Sequence, residues 1–260
     1  MSTEGLDGVS VLVTRPSPHG EALSELIRQL GGEPVLFPGV RIEPAGKKDV
    51  ISMLATIENV DLAVFVSPTA VRLGVPALIE RFGSIGHLQL AAVGAGTAAA
   101  LSEFGLHDVI VPQGAGGGSA LADCPQLKSV AGTSVLLVRG VGGNDFLEKA
   151  LVERGARVSS LECYHRSVPT EDFGAIARRL RDGRIDAWMA TSGEILDNLL
   201  KLAGDQAAVL RHTPLFVNHP QVARRAFSNA VQVIFVTSGG DTGIGAGLST
   251  WFCRSRSVTA

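Results

Sequence analysis

The chain has 260 residues, 45% of them hydrophobic and 18% charged, with 25 Asp and Glu against 23 Lys and Arg. Such a composition excludes a disordered polyelectrolyte and leaves enough apolar material for two ordinary domains. The net charge of −2 excludes a broad nucleic-acid surface, though not a local basic pocket.

Short apolar runs ending in turn residues alternate with stretches of helical period, the βαβ pattern of a largely parallel α/β sheet. Strands are predicted near 9–14, 33–38, 61–66, 89–93, 108–111, 134–138, 157–162, 186–190, 214–217 and 232–236, with helices between them. In the first helix Leu23, Leu26, Ile27 and Leu30 share one face, and Gly31-Gly32 stops it. The run Phe37–Pro44 continues a strand pattern past its sheet and ends at proline; Glu162–Pro169 does the same later in the chain. Both read as hinges between lobes.

Gly94-Ala-Gly96-Thr97-Ala-Ala99 has the GxGxxA form of a dinucleotide turn, but no acidic residue follows at the end of the next strand. Its glycines read as allowing backbone to approach an anionic ligand. Gln113–Ser119 is glycine-rich and reads as a loop, and Ser238–Gly247 reads as a turn into a terminal helix, since it lacks the lysine of a phosphate loop.

The chain repeats itself at a spacing of roughly 124 residues. Val11-Leu-Val-Thr-Arg15 returns as Val135-Leu-Leu-Val-Arg139, Asp61–Ser67 as Asp186–Ser192, and the stretch from Leu90 to Thr97 as that from Pro214 to Gln221. Two related units imply two lobes with a cleft between them.

Polar residues stand where strands end and helices begin, the edge at which parallel sheets bind ligands. Arg15 and Arg139 close the first strand of each repeat, Ser67 and Ser192 the third; Thr97 follows the fourth, and Asn218-His219 close its counterpart. Capping explains each serine and threonine taken singly, and an ion pair with a neighbouring carboxylate explains each arginine. Joint contact with one anionic ligand explains their recurrence. Tyr164, the only tyrosine, lies in the second hinge beside His165 and Arg166, either as a packing residue or as a phenol that donates a proton.

Cys124, Cys163 and Cys253 are too few and too scattered for a disulfide framework, and no metal-ligand spacing occurs. Met1–Gly8 has neither the basic nor the apolar region of a signal peptide, and no apolar run reaches membrane length. A cytoplasmic protein without metal, membrane or nucleic-acid partner is expected, and nothing demands a dimer.

The ordered set Val-Thr-Arg15-Pro, Gly31-Gly32-Glu, Val64-Phe-Val-Ser67-Pro-Thr-Ala, Ala92-Val-Gly-Ala-Gly-Thr97, Leu137-Val-Arg139-Gly-Val-Gly-Gly143, Arg154-Gly-Ala, Tyr164-His-Arg166 and Asp186–Gly193 resembles the uroporphyrinogen-III synthase family. The resemblance covers nearly the whole chain. It implies two flavodoxin-like parallel-sheet domains related by internal duplication and joined by a two-stranded β connector. Domain 1 would comprise residues 1–38 and 170–260, domain 2 residues 45–163, and the connectors 39–44 and 164–169; two sequential domains are the alternative.

The implied reaction is dehydration and cyclisation of hydroxymethylbilane with inversion of ring D, without metal or cofactor. Tyr164 is the expected proton donor, and Arg15, Ser67, Thr97, Arg139, Ser192 and His219 are the expected substrate contacts. The substrate's source, hydroxymethylbilane synthase, is the expected transient partner, and the enzyme is expected to be a monomer. Asn144 and Gln221 stand where relatives are often basic. Two other readings stay open: a two-lobed binding or sensor module without catalysis, and a nucleotide-dependent enzyme that uses the Gly94 turn.

Overall fold

The computed structural model describes residues 5–17, 19–114 and 116–259, with side chains as far as residue 254. Among the described residues the strands are β1 (Ser10–Val13), β2 (Glu33–Leu36), β3 (Arg41–Pro44), β4 (Leu62–Phe65), β5 (Gln89–Ala92), β6 (Val109–Ile110), β7 (Ser134–Gly140), β8 (Arg157–Ser167), β9 (Ala187–Ala190), β10 (Leu215–Val217) and β11 (Ile234–Val236). They form one five-stranded sheet, β11-β10-β9-β1-β2, and one six-stranded sheet, β3-β8-β7-β4-β5-β6. The chain divides into unit 1, Met1–Arg41 with Ser167–Ala260, and unit 2, Ile42–Arg166. The divisions pass through β3 and β8, which are neighbours in the second sheet.

The duplication is visible in the strand order. Counting from β1, unit 1 reads 2-1-3-4-5 as β2-β1-β9-β10-β11, and unit 2 reads the same order from β7 as β8-β7-β4-β5-β6. That is the flavodoxin-like doubly wound arrangement. Each unit therefore takes its first two strands from one repeat and its last three from the other. In unit 1, β1 pairs in parallel with both β2 and β9, and in unit 2, β7 pairs in parallel with β4 and β8.

Burial on both faces explains why these strands are continuous apolar runs rather than alternating ones. Along Leu62–Phe65 successive side chains enter different cores: Ala63 and Phe65 join Leu136 and Val138, whereas Leu62 and Val64 join Val135 and Leu137. A fully buried leucine of this kind is worth about 2 kcal/mol. In unit 1, Val11 and Val13 pack with Leu23 and Ile27 of helix His19–Gln29, so the predicted amphipathic face is the buried one.

The ten predicted strands all form, to within a few residues, and β3 is added in the first hinge segment. The glycine stretch after β11 differs from expectation: helix Gly240–Thr259 already begins within it. Ile244 and Leu248 are buried against the unit 1 core, and this packing overrides the poor helix propensity of the glycines.

Candidate active site

The carboxyl ends of β4 and β7 flank the point where the strand order of unit 2 reverses, the usual ligand crevice of such a sheet. Ser67 follows β4 as the N-cap of helix Pro68–Phe82, and its Oγ accepts a hydrogen bond from the Ala70 N–H at 3.0 Å. Pro68 at the first helical position fixes the entry, since its missing N–H would have had no helical partner.

Arg139 lies at the end of β7 and is only 8% exposed. Its guanidinium donates to Glu148 Oε2 at 3.1 Å, Asp145 Oδ1 at 3.2 Å and the Gly142 carbonyl at 3.0 Å. It thus ties the glycine turn to the start of helix Phe146–Glu153, and its charge is compensated inside unit 2. Asn144 Oδ1 accepts from Phe146 N–H at 2.8 Å in the same turn.

Strand β8 outruns its counterpart β2, and the extension carries Tyr164. The β7–β8 register shifts at Arg139/Gly140 and sets Gly140 opposite Tyr164. The phenol ring lies directly over Gly140: a Cβ there would come within 2.5 Å of Cε2 and 2.6 Å of Cζ. Tyr164 is 4% exposed, and its hydroxyl lies 3.0 Å from Ser67 Oγ. The structure thus joins two residues that the sequence offered separately.

Together these residues line a pocket of about 310 Å³, whose wall also includes Val93, Gly117, Gly143 and Arg166. Gly117 N–H donates to the Val93 carbonyl at 2.6 Å, so the described part of the glycine-rich loop is tied to the Gly94 turn. A wall rich in glycine presents backbone rather than side chains, which suits an anionic ligand. Thr97, in the first turn of helix Ala95–Ser102, is buried and does not line the pocket.

Next to Tyr164 on β8, Cys163 is buried in the same core, with Sγ 3.4 Å from the Arg139 carbonyl. Burial pushes its thiol up to about 12, against a smaller opposing effect of a backbone hydrogen bond. It is a packing residue, too firmly protonated to serve as a nucleophile.

Unit 1 repeats the frame. Ser192 caps helix Gly193–Leu202 by accepting from Ile195 N–H at 3.2 Å, and Arg15 at the end of β1 pairs with Asp241. His219 caps helix Pro220–Ser228: its Nδ1 accepts from Gln221 N–H at 3.1 Å, and its ring is exposed. Beside it, the Asn218 Oδ1 is buried without a hydrogen-bond partner. Both arginines are therefore ion-paired, and Asp145, Glu148 and Asp241 are site neighbours that strand-end reasoning did not find.

The profile described as uroporphyrinogen-III synthase HemD matches residues 21–240. The chain belongs to the uroporphyrinogen-III synthase family. It is 35% identical to uroporphyrinogen-III synthase of Salmonella typhimurium over 75% of this chain and 80% of that one. With the Escherichia coli enzyme it shares 31% over 90% and 96% of the two chains. Among solved structures, a mutant uroporphyrinogen III synthase from Thermus thermophilus shares the fold with a TM-score of 0.62 at 24% identity, over 96% of this chain and 99% of that one. The family activity is a hydro-lyase reaction of haem and tetrapyrrole biosynthesis, dehydration and cyclisation to uroporphyrinogen III with inversion of ring D, and its substrate is hydroxymethylbilane. Among the described residues no helix is long and apolar enough to cross a membrane.

Proposed function

We propose that Tyr164 is the proton donor of the synthase reaction in this chain. The observation that carries this reading is the buried phenol at the strand-order reversal, lining the pocket with its hydroxyl on Ser67 Oγ. The phenol gives its proton to the departing hydroxyl, the C–O bond breaks, and water leaves with its electron pair. The remaining azafulvene cation is stabilised by resonance, so the acid need not be strong. Attack by the substituted carbon of ring D on this cation gives a spiro intermediate, which opens and recloses with the ring inverted. The proton lost as the final pyrrole regains aromaticity returns to the phenolate. Atoms balance as bilane to macrocycle plus water.

A pocket of about 310 Å³ suits part of a linear tetrapyrrole rather than all of it. Arg15, Ser192 and His219 offer polar atoms at strand ends to the substrate's carboxylates, Ser67 serves the phenol, Arg139 braces the pocket wall and buried Thr97 lies behind it. Because the bilane closes unaided to the uninverted isomer, conformational control is the main catalytic task. The enzyme acts as a cytoplasmic monomer that takes its labile substrate from hydroxymethylbilane synthase.

The test is to incubate the protein with porphobilinogen and hydroxymethylbilane synthase, oxidise the products and separate the uroporphyrin isomers. Type III in excess over the protein-free control is the expected result, with the excess lost in Tyr164→Phe. Undiminished type III from Tyr164→Phe would remove Tyr164 from the mechanism.

A further inference from the structure

We propose that Ser67 is a positioning residue that couples the N-terminus of helix Pro68–Phe82 to Tyr164 and stabilises the phenolate formed when Tyr164 gives up its proton. This rests on the reading of Tyr164 as the proton donor. A serine hydroxyl has one proton and two lone pairs. One lone pair of Ser67 Oγ is taken by the Ala70 N–H at 3.0 Å, and Tyr164 Oη stands 3.0 Å away on another side. Once Tyr164 has released its proton it has none to offer, so Ser67 must be the donor across that contact.

The donor is also polarised from behind. The Ala70 N–H belongs to the first turn of a 15-residue helix, where unpaired N–H groups give a positive end. A charge forming on Tyr164 Oη therefore meets an oriented chain, Ala70 N–H to Ser67 Oγ–H to phenolate, in which Ala70 and Tyr164 are buried and Ser67 is half-buried, so that the hydrogen bonds are stronger than in water. The arrangement is fixed before reaction, because Gly140 seats the ring and the cap holds the hydroxyl. Unit 1 has the same cap at Ser192 and no tyrosine, so capping alone does not require the pair.

The experiment separates capping from donation. Aspartate caps as well as serine does and suits a helix N-terminus, yet when ionised it has no proton to donate. Ser67→Asp is expected to keep its melting temperature while kcat falls about 10- to 100-fold and KM stays within about threefold. Ser67→Thr, which keeps the hydroxyl, is expected to recover kcat to within about threefold. In the Tyr164→Phe background Ser67→Asp is expected to change kcat by less than about twofold, since there is then no phenolate to stabilise.

The tyrosine Raman doublet, whose intensity ratio reports phenol hydrogen bonding, has a single source here because Tyr164 is the only tyrosine. A doublet changed by Ser67→Asp is expected. Wild-type kcat in Ser67→Asp, a Ser67→Thr as slow as Ser67→Asp, or full additivity with Tyr164→Phe would each overturn the proposal. An unchanged doublet removes the Ser67–Tyr164 bond while leaving Tyr164 as acid. A changed doublet with fully active Tyr164→Phe removes Tyr164 as acid instead.

Discussion

Unit 1 and unit 2 share a strand order, an N-cap serine after the third strand of the order and an ion-paired arginine after the first. They differ in what lies next to that arginine. Unit 2 has Gly140 under the ring of Tyr164, with the phenol on Ser67; at the matching repeat positions unit 1 has Pro16 and the buried Val40. The preceding residue of each repeat shows the reverse exchange of size. Cys163 of unit 2 faces Ala70, whereas its counterpart Gly39 lies so close to Ile195 that a Cβ would meet Cγ2 at 2.7 Å. Duplication thus supplied two copies of one sheet edge, and divergence at a few positions set a phenol against the N-cap serine of one of them. A shared frame is preserved by volume-conserving exchange, as close packing requires.

The largest effect that would break this comparison is at the phenol. Tyr164→Phe is expected to lower kcat about 100-fold or more, the usual cost of losing a general acid, with an unchanged melting temperature. Gly140→Ala comes next. Its methyl cannot coexist with the present ring position, so Tyr164 must move, and turnover should fall about tenfold. Pro16→Ala, at the matching position of unit 1, should leave turnover unchanged. Equal losses in the two variants would show that the loop, rather than the ring seat, matters.

A smaller and purely structural asymmetry is expected at the arginines. Arg139 has a side chain 9% exposed and two carboxylate partners as well as a carbonyl, while Arg15 is 20% exposed with Asp241 as its described ion-pair partner. Removing a buried guanidinium that donates three hydrogen bonds costs about 2 kcal/mol even though its carboxylate partners are partly exposed, and removing one side of a partly solvated pair costs about 1 kcal/mol. Arg139→Ala should therefore lower unfolding free energy, read by urea titration, clearly more than Arg15→Ala. Losses of equal size would mean that the Gly142 turn does not depend on Arg139.

How much of this was legible follows from the range of each signal. Runs such as Leu62–Phe65 declare themselves because both faces of a parallel strand are buried. Arg41–Pro44 is short, partly exposed and ends in proline, so it read as a hinge although it pairs at the sheet edge. Ser67 and Arg139 could each be placed at a strand end, and Tyr164 in the second hinge, from local pattern. Their arrangement could not: Ser67 and Tyr164 are 97 positions apart, and their contact depends on the register shift at Arg139/Gly140, a tertiary property. Asp145 and Glu148 were visible as charges, but only the turn through Gly142 brings both to one guanidinium.

An effect confined to alkaline pH, and so the smallest near neutrality, concerns Cys163, which has no thiol counterpart in unit 1 because Gly39 stands there. Burial raises its pKa from 9.0 to about 12, so the folded state holds the thiol proton more tightly than the unfolded chain does. Its contribution to stability is then fully present below pH 9 and is lost as pH rises toward 12, at about 1 kcal/mol per unit in that window. Cys163→Ala should lower stability by a constant amount up to pH 9 and converge on the parent above it, a trend to be followed by urea unfolding at stepped pH. Parallel curves up to pH 10.5 would mean that the thiol ionises as readily in the folded state as in the unfolded chain. Differential alkylation at pH 8 supplies the kinetic side: the half-buried Cys124 should react before Cys163, because a thiolate must form before it can attack. Equal rates in the folded protein would place solvent beside Cys163 and show that the core shared by Cys163 and Tyr164 opens too readily to hold the phenol in place.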